Sequence, residues 1–170
     1  MALLESSMVP LGTKAPDFNL MGIDGEQHSL AFYADKKVLA MIFMCNHCPY
    51  VQKIWDDLVA LEKRMPEEVQ FVGINANGAN PDYPEDSFEK MKEYAVAKGQ
   101  EFPYLYDETQ SAAKAYDAQC TPDIFVYGPE RLLAYRGAFE GLESAVDALL
   151  KGELPSQEQA HSMGCSMKWC

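Results

Sequence analysis

The run VLAMIFM at residues 38–44 contains no polar side chain, and it ends directly at a cysteine, Cys45. A strand with one face in water alternates polar and apolar residues, whereas a strand that is apolar throughout is covered on both faces. A second run, VQFVGIN at residues 69–75, also predicts a buried strand. The chain must therefore place other elements on both sides of these strands.

Helical signals lie between and after the predicted strands. Apolar residues recur at helical spacing after the VLAMIFM strand, and the segment GLESAVDALLKG shows the same period. A proline and acidic residues suit the first turn of a further helix, and Thr109 suits a helix cap. Helices are predicted over residues 48–65, 84–99, 109–119 and 141–152.

Shorter strands complete the predicted architecture. Two brief strands joined by a turn indicate an N-terminal β-hairpin within residues 14–30. Further strands are predicted at residues 104–106, 124–127 and 132–136, the last two antiparallel. The fold class is α/β, a three-layer sandwich with a mixed central β-sheet and helices on both faces. We assign residues 1–152 to one domain and residues 153–170, which lose apolar periodicity, to an extended C-terminal tail.

The charge balance narrows the range of partners. With 14 basic and 26 acidic residues, the net charge of −12 repels phosphate backbones and anionic lipids. We expect no nucleic acid and no membrane as partners. No apolar run approaches the roughly 20 residues that span a bilayer, and the first residues lack the basic and apolar parts of a leader. The expected location is cytoplasmic.

The sequence CNHCP sets Cys45 and Cys48 three positions apart at the mouth of a predicted helix. Unpaired backbone N–H groups and the helix dipole favour a thiolate there, and the thiolate is the reactive form. We predict Cys45 as the nucleophile, nearer to solvent, and Cys48 as the resolving thiol that closes a disulfide. Asn46, His47 and Pro49 are expected to tune the pair, with His47 stabilising the thiolate.

A second signal lies just before the IFVY strand. Pro122 stands at the entry of that strand, where a proline can adopt the cis form and turn the strand edge towards a neighbouring loop. We predict that Thr121 and Pro122 bind the backbone of a substrate chain along this edge.

In their order along the chain, these segments resemble the thioredoxin-like redoxins, which include thioredoxins, disulfide isomerases and the AhpC/TSA-related peroxiredoxins. The resemblance implies a thioredoxin-like fold, redox cysteines at Cys45 and Cys48, and a cis-proline at Pro122. Asn-His replaces the Gly-Pro of thioredoxin, so the direction of electron flow is not implied. The segments that carry this resemblance are GTKAPDFNL, CNHCP after its strand, VQFVGINAN, FPYLYDETQSAAKAYDAQCTPDIFVYG, YRG and a closing GCSMKW.

Two other functions compete with disulfide exchange. Peroxiredoxins carry Pro-x-x-x-Thr-x-x-Cys, but Val38 and Ile42 stand at the proline and threonine positions, so a bound peroxide loses a hydrogen-bond partner. Thiol peroxidase activity is therefore an alternative. The other is a non-catalytic metal-binding module, because soft sulfur and imidazole suit zinc or copper(I). No metal ligand is assigned, but four residues converge if Pro122 lies beside the helix: Cys45, His47, Cys48 and Cys120.

The remaining cysteines are expected to play smaller parts. Cys120 is predicted to pack beside the site as a buried thiol. Cys165 and Cys170 can pair with each other or exchange with Cys45, but a flexible chain end favours neither.

The leading prediction is a thiol-disulfide oxidoreductase that works through a mixed disulfide. Cys45 attacks a partner's disulfide, and Cys48 then displaces the partner. The partners are protein or small-molecule thiols and disulfides, together with a dithiol that donates or accepts electrons. This chemistry needs no cofactor.

Overall fold

The computed structural model of the chain describes residues 3–7 and 9–170. The strands in this part are β1 (Leu3–Glu5), β2 (Asn19–Gly22), β3 (Gln27–Ser29), β4 (Val38–Phe43), β5 (Val69–Asn75), β6 (Tyr104–Tyr106), β7 (Cys120–Thr121), β8 (Asp123–Tyr127), β9 (Leu133–Gly137) and β10 (Met163–Ser166). The α-helices are α1 (Pro49–Arg64), α2 (Phe88–Lys98), α3 (Ser111–Ala115) and α4 (Leu142–Leu150). Within the described ranges, no helix is long and apolar enough to cross a membrane.

The main sheet has seven strands in the order β3-β2-β6-β5-β4-β8-β9. β4 is parallel to β5 on one side and antiparallel to β8 on the other. All its residues are buried, as its unbroken apolar sequence predicts. The predicted hairpin is formed by β2 and β3, and β8 and β9 are antiparallel as expected. The prediction of a mixed central sheet is confirmed.

Hydrophobic cores lie on both faces of this sheet. Successive side chains of a strand point to opposite faces. Val38, Ala40 and Ile42 of β4 join the core formed with α1, α2 and α4. Leu39 and Met41 join a second core, which contains α3 and the N-terminal segment. The result is the predicted three-layer α/β sandwich.

The second and third helices begin later than the sequence predicts. Pro84–Asp86 form a separate 3-10 turn, and α2 starts after Ser87, whose hydroxyl accepts a hydrogen bond from the amide of Lys90. The amides of Ala112 and Ala113 in α3 donate to the buried carboxylate of Asp107, at 3.2 and 2.8 Å. The amide of Ser111, the first residue of α3, donates to the hydroxyl of Thr109 at 3.4 Å, so Thr109 shares the capping of this helix with Asp107.

A second sheet contains the C-terminal segment that the sequence analysis treats as an extended tail. It has three antiparallel strands in the order β1-β10-β7. Beyond β10, the amide of Met167 donates to the carbonyl of Gln119 at 3.1 Å. The amide of Lys168 donates to the side chain of Asn77 at 3.0 Å. The end of the chain is thus bound to the domain over several residues.

Candidate active site

The two cysteines of the CNHCP sequence lie between the carboxyl end of β4 and the amino end of α1. Cys48 is the N-cap residue of α1, and Pro49 is its first helical residue. Proline suits this position because the N–H that it lacks would have no partner within the helix. The thiols of Cys45 and Cys48 are close enough for each to shift the pKa of the other, and both residues are 0% exposed. The structure therefore forms the predicted pair, but Cys45 is not nearer to solvent than Cys48.

The electrostatic surroundings of the pair favour negative charge on Cys48 rather than on Cys45. Contact with the Cys45 thiol lowers the pKa of Cys48 to about 4 against the opposing effect of burial, and contacts with Cys165, Thr121 and the Val51 amide act in the same direction as Cys45. Burial, together with contacts to Cys48 and to the carboxyl of Asp86, raises the pKa of Cys45. The sulfur at the N-cap of a helix faces its free amides, which favour negative charge. These contacts favour a thiolate on Cys48 and do not support the predicted thiolate on Cys45.

Thr121 and Pro122 lie directly against the two sulfurs. The peptide bond between them is cis. The hydroxyl oxygen of Thr121 lies 3.5 Å from the Cys45 Sγ, and its carbonyl oxygen lies 3.3 Å from the Cys48 Sγ. Cys120 precedes them in β7, where its thiol donates to the carbonyl of Pro122 at 3.6 Å and burial raises its pKa. The segment that the sequence analysis assigns to substrate binding is thus within reach of both thiols.

A buried ion pair holds this segment in place. Asp123 follows the cis-proline, and the Arg136 guanidinium donates to its two carboxylate oxygens at 3.3 and 2.8 Å. The amide of Gln119 also donates to Asp123, at 3.1 Å. Both members of the ion pair have side chains that are 0% exposed. The Asp123 carboxylate therefore connects Gln119, which precedes Thr121 and Pro122, with Arg136, which follows them along the chain.

Asp86 holds the segment between the two cysteines, a role that the sequence analysis missed. The amides of Asn46 and His47 donate to its Oδ1 at 2.8 and 3.0 Å, and the His47 Nδ1 contacts its Oδ2. The Asn46 side chain donates to the carbonyl of Glu85 at 3.0 Å and accepts from the Tyr104 hydroxyl at 2.8 Å. His47 therefore binds a carboxylate, and the prediction that it stabilises a Cys45 thiolate is not supported by these contacts.

We expect Asp86→Ala to lower the free energy of unfolding by about 2–4 kcal/mol, because buried amides lose a charged acceptor. Asp86 is 0% exposed, and burial raises the pKa of its carboxyl, against the opposing effects of His47 and the two amides. Urea unfolding of the reduced protein measures the change. Asp82→Ala, at an exposed position of the same loop, is the control and should cost less than about 0.5 kcal/mol. Equal losses in the two variants would contradict this role.

Cys165 is a second site residue whose position the sequence analysis did not predict. Its Sγ lies 2.8 Å from the Cys48 Sγ, although 117 positions separate the two residues. Cys170 is exposed instead, and all five cysteines are free thiols. Burial, followed by contact with Cys48, raises the pKa of Cys165 to about 12. The GCSMKW sequence was the available signal, but nothing in its spacing showed which strand it would join.

The four-residue metal set considered from the sequence does not form. Near the thiols, and within the residues that the structure describes, the side chains with ligand atoms within 4.8 Å of one another are Cys45, His47 and Asp86. Cys120 faces the carbonyl of Pro122 instead. A cysteine ligates metal as the thiolate, and burial raises the pKa of Cys45. Within this cluster His47 contacts Asp86, whereas the Cys45 thiol contacts the hydroxyl of Thr121.

Comparison of the sequence with known proteins identifies the family to which it is similar. The sequence profile of the AhpC/TSA family matches residues 11–136. The thiol-disulfide oxidoreductase ResA of Geobacillus kaustophilus is 27% identical over 124 residues, which cover 72% of this chain and 66% of that protein. A putative peroxiredoxin of Mycobacterium tuberculosis is 30% identical over 107 residues, 63% of each protein. The matched part thus spans just under two thirds of these relatives' length.

Solved structures extend the similarity over the whole chain. An uncharacterized conserved protein from Geobacillus kaustophilus is 43% identical with a TM-score of 0.95, and the match covers 100% of this chain and 97% of that one. The thioredoxin domain of a thiol-disulfide oxidoreductase from Bacteroides vulgatus has a TM-score of 0.68 at 15% identity, over 82% of this chain and 97% of that one. The second likeness concerns the fold alone. The predicted thioredoxin-like fold is confirmed.

Proposed function

This chain belongs to the AhpC/TSA family, and from that premise we propose that it is a thiol-disulfide oxidoreductase working through Cys45 and Cys48. The observation that carries the proposal is the closeness of these two thiols, which both contact Thr121 of the cis-proline segment at the amino end of α1. Two sulfurs in contact can form and break a disulfide without rearranging the backbone that holds them. Partners are protein or small-molecule thiols and disulfides.

The lowered pKa of Cys48 assigns the roles within the exchange. As a thiolate, Cys48 attacks one sulfur of a partner's disulfide, and the partner's other sulfur leaves with the electron pair. Cys45 then loses its proton and attacks the Cys48 sulfur. A Cys45–Cys48 disulfide forms, and the partner leaves as its second thiol. The pair has given two electrons to the partner, and a second dithiol restores them by the same steps in reverse.

Thr121 and Pro122 are proposed to hold the partner's backbone during this exchange. β7 ends at Thr121, whose carbonyl oxygen lies 3.3 Å from the Cys48 Sγ. A segment bound along this edge would therefore present its sulfur to Cys48. Main-chain hydrogen bonds to a strand edge tolerate many sequences, which suits an enzyme that acts on varied disulfides.

Thiol peroxidase activity is the second candidate, and similarity to the putative peroxiredoxin of Mycobacterium tuberculosis favours it. Ile42 stands where that chemistry uses a threonine hydroxyl, and it is 0% exposed in the core between the sheet and α1. Without that donor we expect the reduced protein to consume hydrogen peroxide more slowly than it reduces oxidised glutathione. Faster consumption of peroxide, lost in Cys48→Ser, would favour the peroxidase.

Trapping the mixed disulfide tests the proposed function. In Cys45→Ser/Cys165→Ala, the sulfurs that contact Cys48 are absent, so a glutathione adduct on Cys48 should accumulate after addition of oxidised glutathione. The matched variant Cys48→Ser/Cys165→Ala should form little adduct at neutral pH, because burial raises the pKa of Cys45. Intact mass before and after treatment with dithiothreitol measures both.

Each outcome of the trapping experiment has a defined meaning. An adduct confined to the variant that retains Cys48 supports disulfide exchange with Cys48 as the attacking thiol. An adduct confined to the variant that retains Cys45 would return the attacking role to Cys45. Absence of any reducible adduct from both folded proteins would overturn the proposed function. Stoichiometric zinc in protein purified under reducing conditions would then favour the metal-binding alternative.

A further inference from the structure

The C-terminal strand occupies the edge that we assign to a partner's chain. β10 pairs antiparallel with β7, so that Cys165 lies opposite Thr121 and Ser166 lies opposite Cys120. β7 is the segment that leads into Pro122. A strand added to a sheet edge is held by backbone hydrogen bonds, while its alternate side chains face particular sites. β10 thus has the position and the pairing that a bound substrate segment would have.

The fit between β10 and β7 depends on a small residue. A Cβ atom at Gly164 would overlap the carbonyl oxygen of Thr121, so a glycine is required for the strands to approach this closely. The next residue, Cys165, is 1% exposed, and its Sγ is 2.8 Å from that of Cys48. The glycine allows the approach, and the cysteine then supplies a sulfur at the point of exchange.

With β10 in place, the redox pair is closed to large partners. Cys45 and Cys48 are both 0% exposed. A cleft of about 250 Å³ lies beside the strand, and its lining includes Tyr50, Pro122 and Met163. Neither Cys45 nor Cys48 lines this cleft, so a partner that enters it does not contact either sulfur. A large partner must therefore displace β10 or exchange electrons with a residue that β10 carries.

We propose that Cys165 is a third redox thiol, which β10 presents to Cys48 as an internal substrate. The inference rests on the proposed function, because it needs Cys48 as the exchanging sulfur. Cys165 has two uses in this scheme. It resolves a mixed disulfide between Cys48 and a partner, and it exchanges with the Cys45–Cys48 disulfide.

Both steps balance without any added oxidant. In the first, the Cys165 sulfur loses its proton and attacks Cys48 in the mixed disulfide, and the partner leaves with the electron pair and takes up a proton. In the second, Cys165 attacks Cys48 in the Cys45–Cys48 disulfide. The Cys48–Cys165 bond forms, the Cys45–Cys48 bond breaks, and Cys45 receives the electron pair and the proton. The second step is an isomerisation with no net oxidation.

The protonation of Cys165 depends on the state of Cys48. Burial is the main cause of its raised pKa, and contact with Cys48 is the next. When Cys48 is part of a disulfide it carries no negative charge, so the second cause is removed. Cys165 therefore ionises more readily at the stage where it must attack.

The lifetime of the glutathione adduct on Cys48 tests the proposal. Reduced Cys45→Ser and Cys45→Ser/Cys165→Ala are mixed with oxidised glutathione, quenched at intervals and weighed intact. In Cys45→Ser the adduct should decay at least about tenfold faster than in the double variant, because a sulfur held in contact has a high effective concentration. The product should contain a Cys48–Cys165 disulfide. Cys45→Ser/Cys170→Ala is the control and should behave like Cys45→Ser.

Peptide mapping of the oxidised wild-type protein supplies a second readout that needs no substitution. We expect a fraction of the chains to contain linked peptides of Cys48 and Cys165, alongside those of Cys45 and Cys48. Equal adduct lifetimes, together with no such linked peptide in wild type or in Cys45→Ser, would overturn the role of Cys165 and leave the proposed function standing. No adduct in the double variant would instead count against Cys48 as the attacking thiol, and the peptide mapping would still show whether Cys165 forms a disulfide with Cys48.

Discussion

Cys48→Ser is expected to slow the reduction of oxidised glutathione by at least about a thousandfold at neutral pH, as the loss of a nucleophile does in other enzymes. Contacts with Cys45, Cys165 and the amide of Val51 lower the pKa of Cys48 to about 4. These contacts favour its thiolate form at neutral pH. Burial raises the pKa of Cys45 and of Cys165, so neither replaces it. Stopped-flow or quenched kinetics of the reduced proteins measure the first attack.

Two further variants sharpen this prediction. Cys170→Ser removes the exposed thiol of the same terminal segment and should leave the rate unchanged. Cys45→Ser should retain attack by Cys48, at a rate altered by the loss of a hydrogen-bond donor. A protein in which Cys45→Ser abolishes the attack while Cys48→Ser preserves it would contradict the assignment of roles.

Arg136→Met is expected to lower the free energy of unfolding by about 3–5 kcal/mol, the usual cost of leaving one member of a buried ion pair without its partner. The guanidinium also donates to the hydroxyl of Ser7 and the carbonyl of Asp117, both at 2.9 Å. Because Asp123 follows Pro122 directly, the substitution should also loosen the segment beside the thiols. Urea unfolding and the rate of glutathione reduction measure the two effects.

An exposed ion pair provides the matched control. Arg64 and Glu143 are separated by 3.4 Å, with side chains that are 58% and 52% exposed. Arg64→Met should therefore change stability by less than about 1 kcal/mol. Asp123→Leu/Arg136→Met, which removes both buried charges, should recover part of the loss. If Arg136→Met cost no more than Arg64→Met, the buried pair would not have the structural role given to it.

The parts of the fold that follow from local patterns were predictable. β4 and β5 are apolar because both of their faces are covered, and α1 and α4 each bury one apolar side. The site residues that adjoin one another in sequence were also predictable, since a strand end and a helix start bring Cys45 and Cys48 together. The position of Thr121 and Pro122 beside the two cysteines was predicted from the family resemblance and from the place of the proline before a strand.

The parts that depend on distant contacts were not predictable from one sequence. Asp86 receives the amides of Asn46 and His47 from 40 and 39 positions away, and an acid after a proline suggests only a helix start. Cys165 reaches Cys48 through a three-strand sheet whose members come from both ends of the chain. The location of the thiolate depends in part on the contact of Cys48 with Cys165, which lies 117 positions away along the chain.

Ultraviolet absorbance of thiolates, followed in the reduced protein from acid to alkaline pH, tests the central claim that Cys48 holds a stabilised negative charge. The pKa of Cys48 is lowered, so from about pH 4 to the ordinary thiol pKa of about 8.5 this thiol binds fewer protons in the folded chain than in the unfolded chain, and its contribution to stability rises with pH. Wild type should show one thiolate that is lost as the pH falls through about 4, and Cys48→Ser should lack it. A wild-type protein with no thiolate below alkaline pH, or a thiolate that persists in Cys48→Ser, would contradict the account.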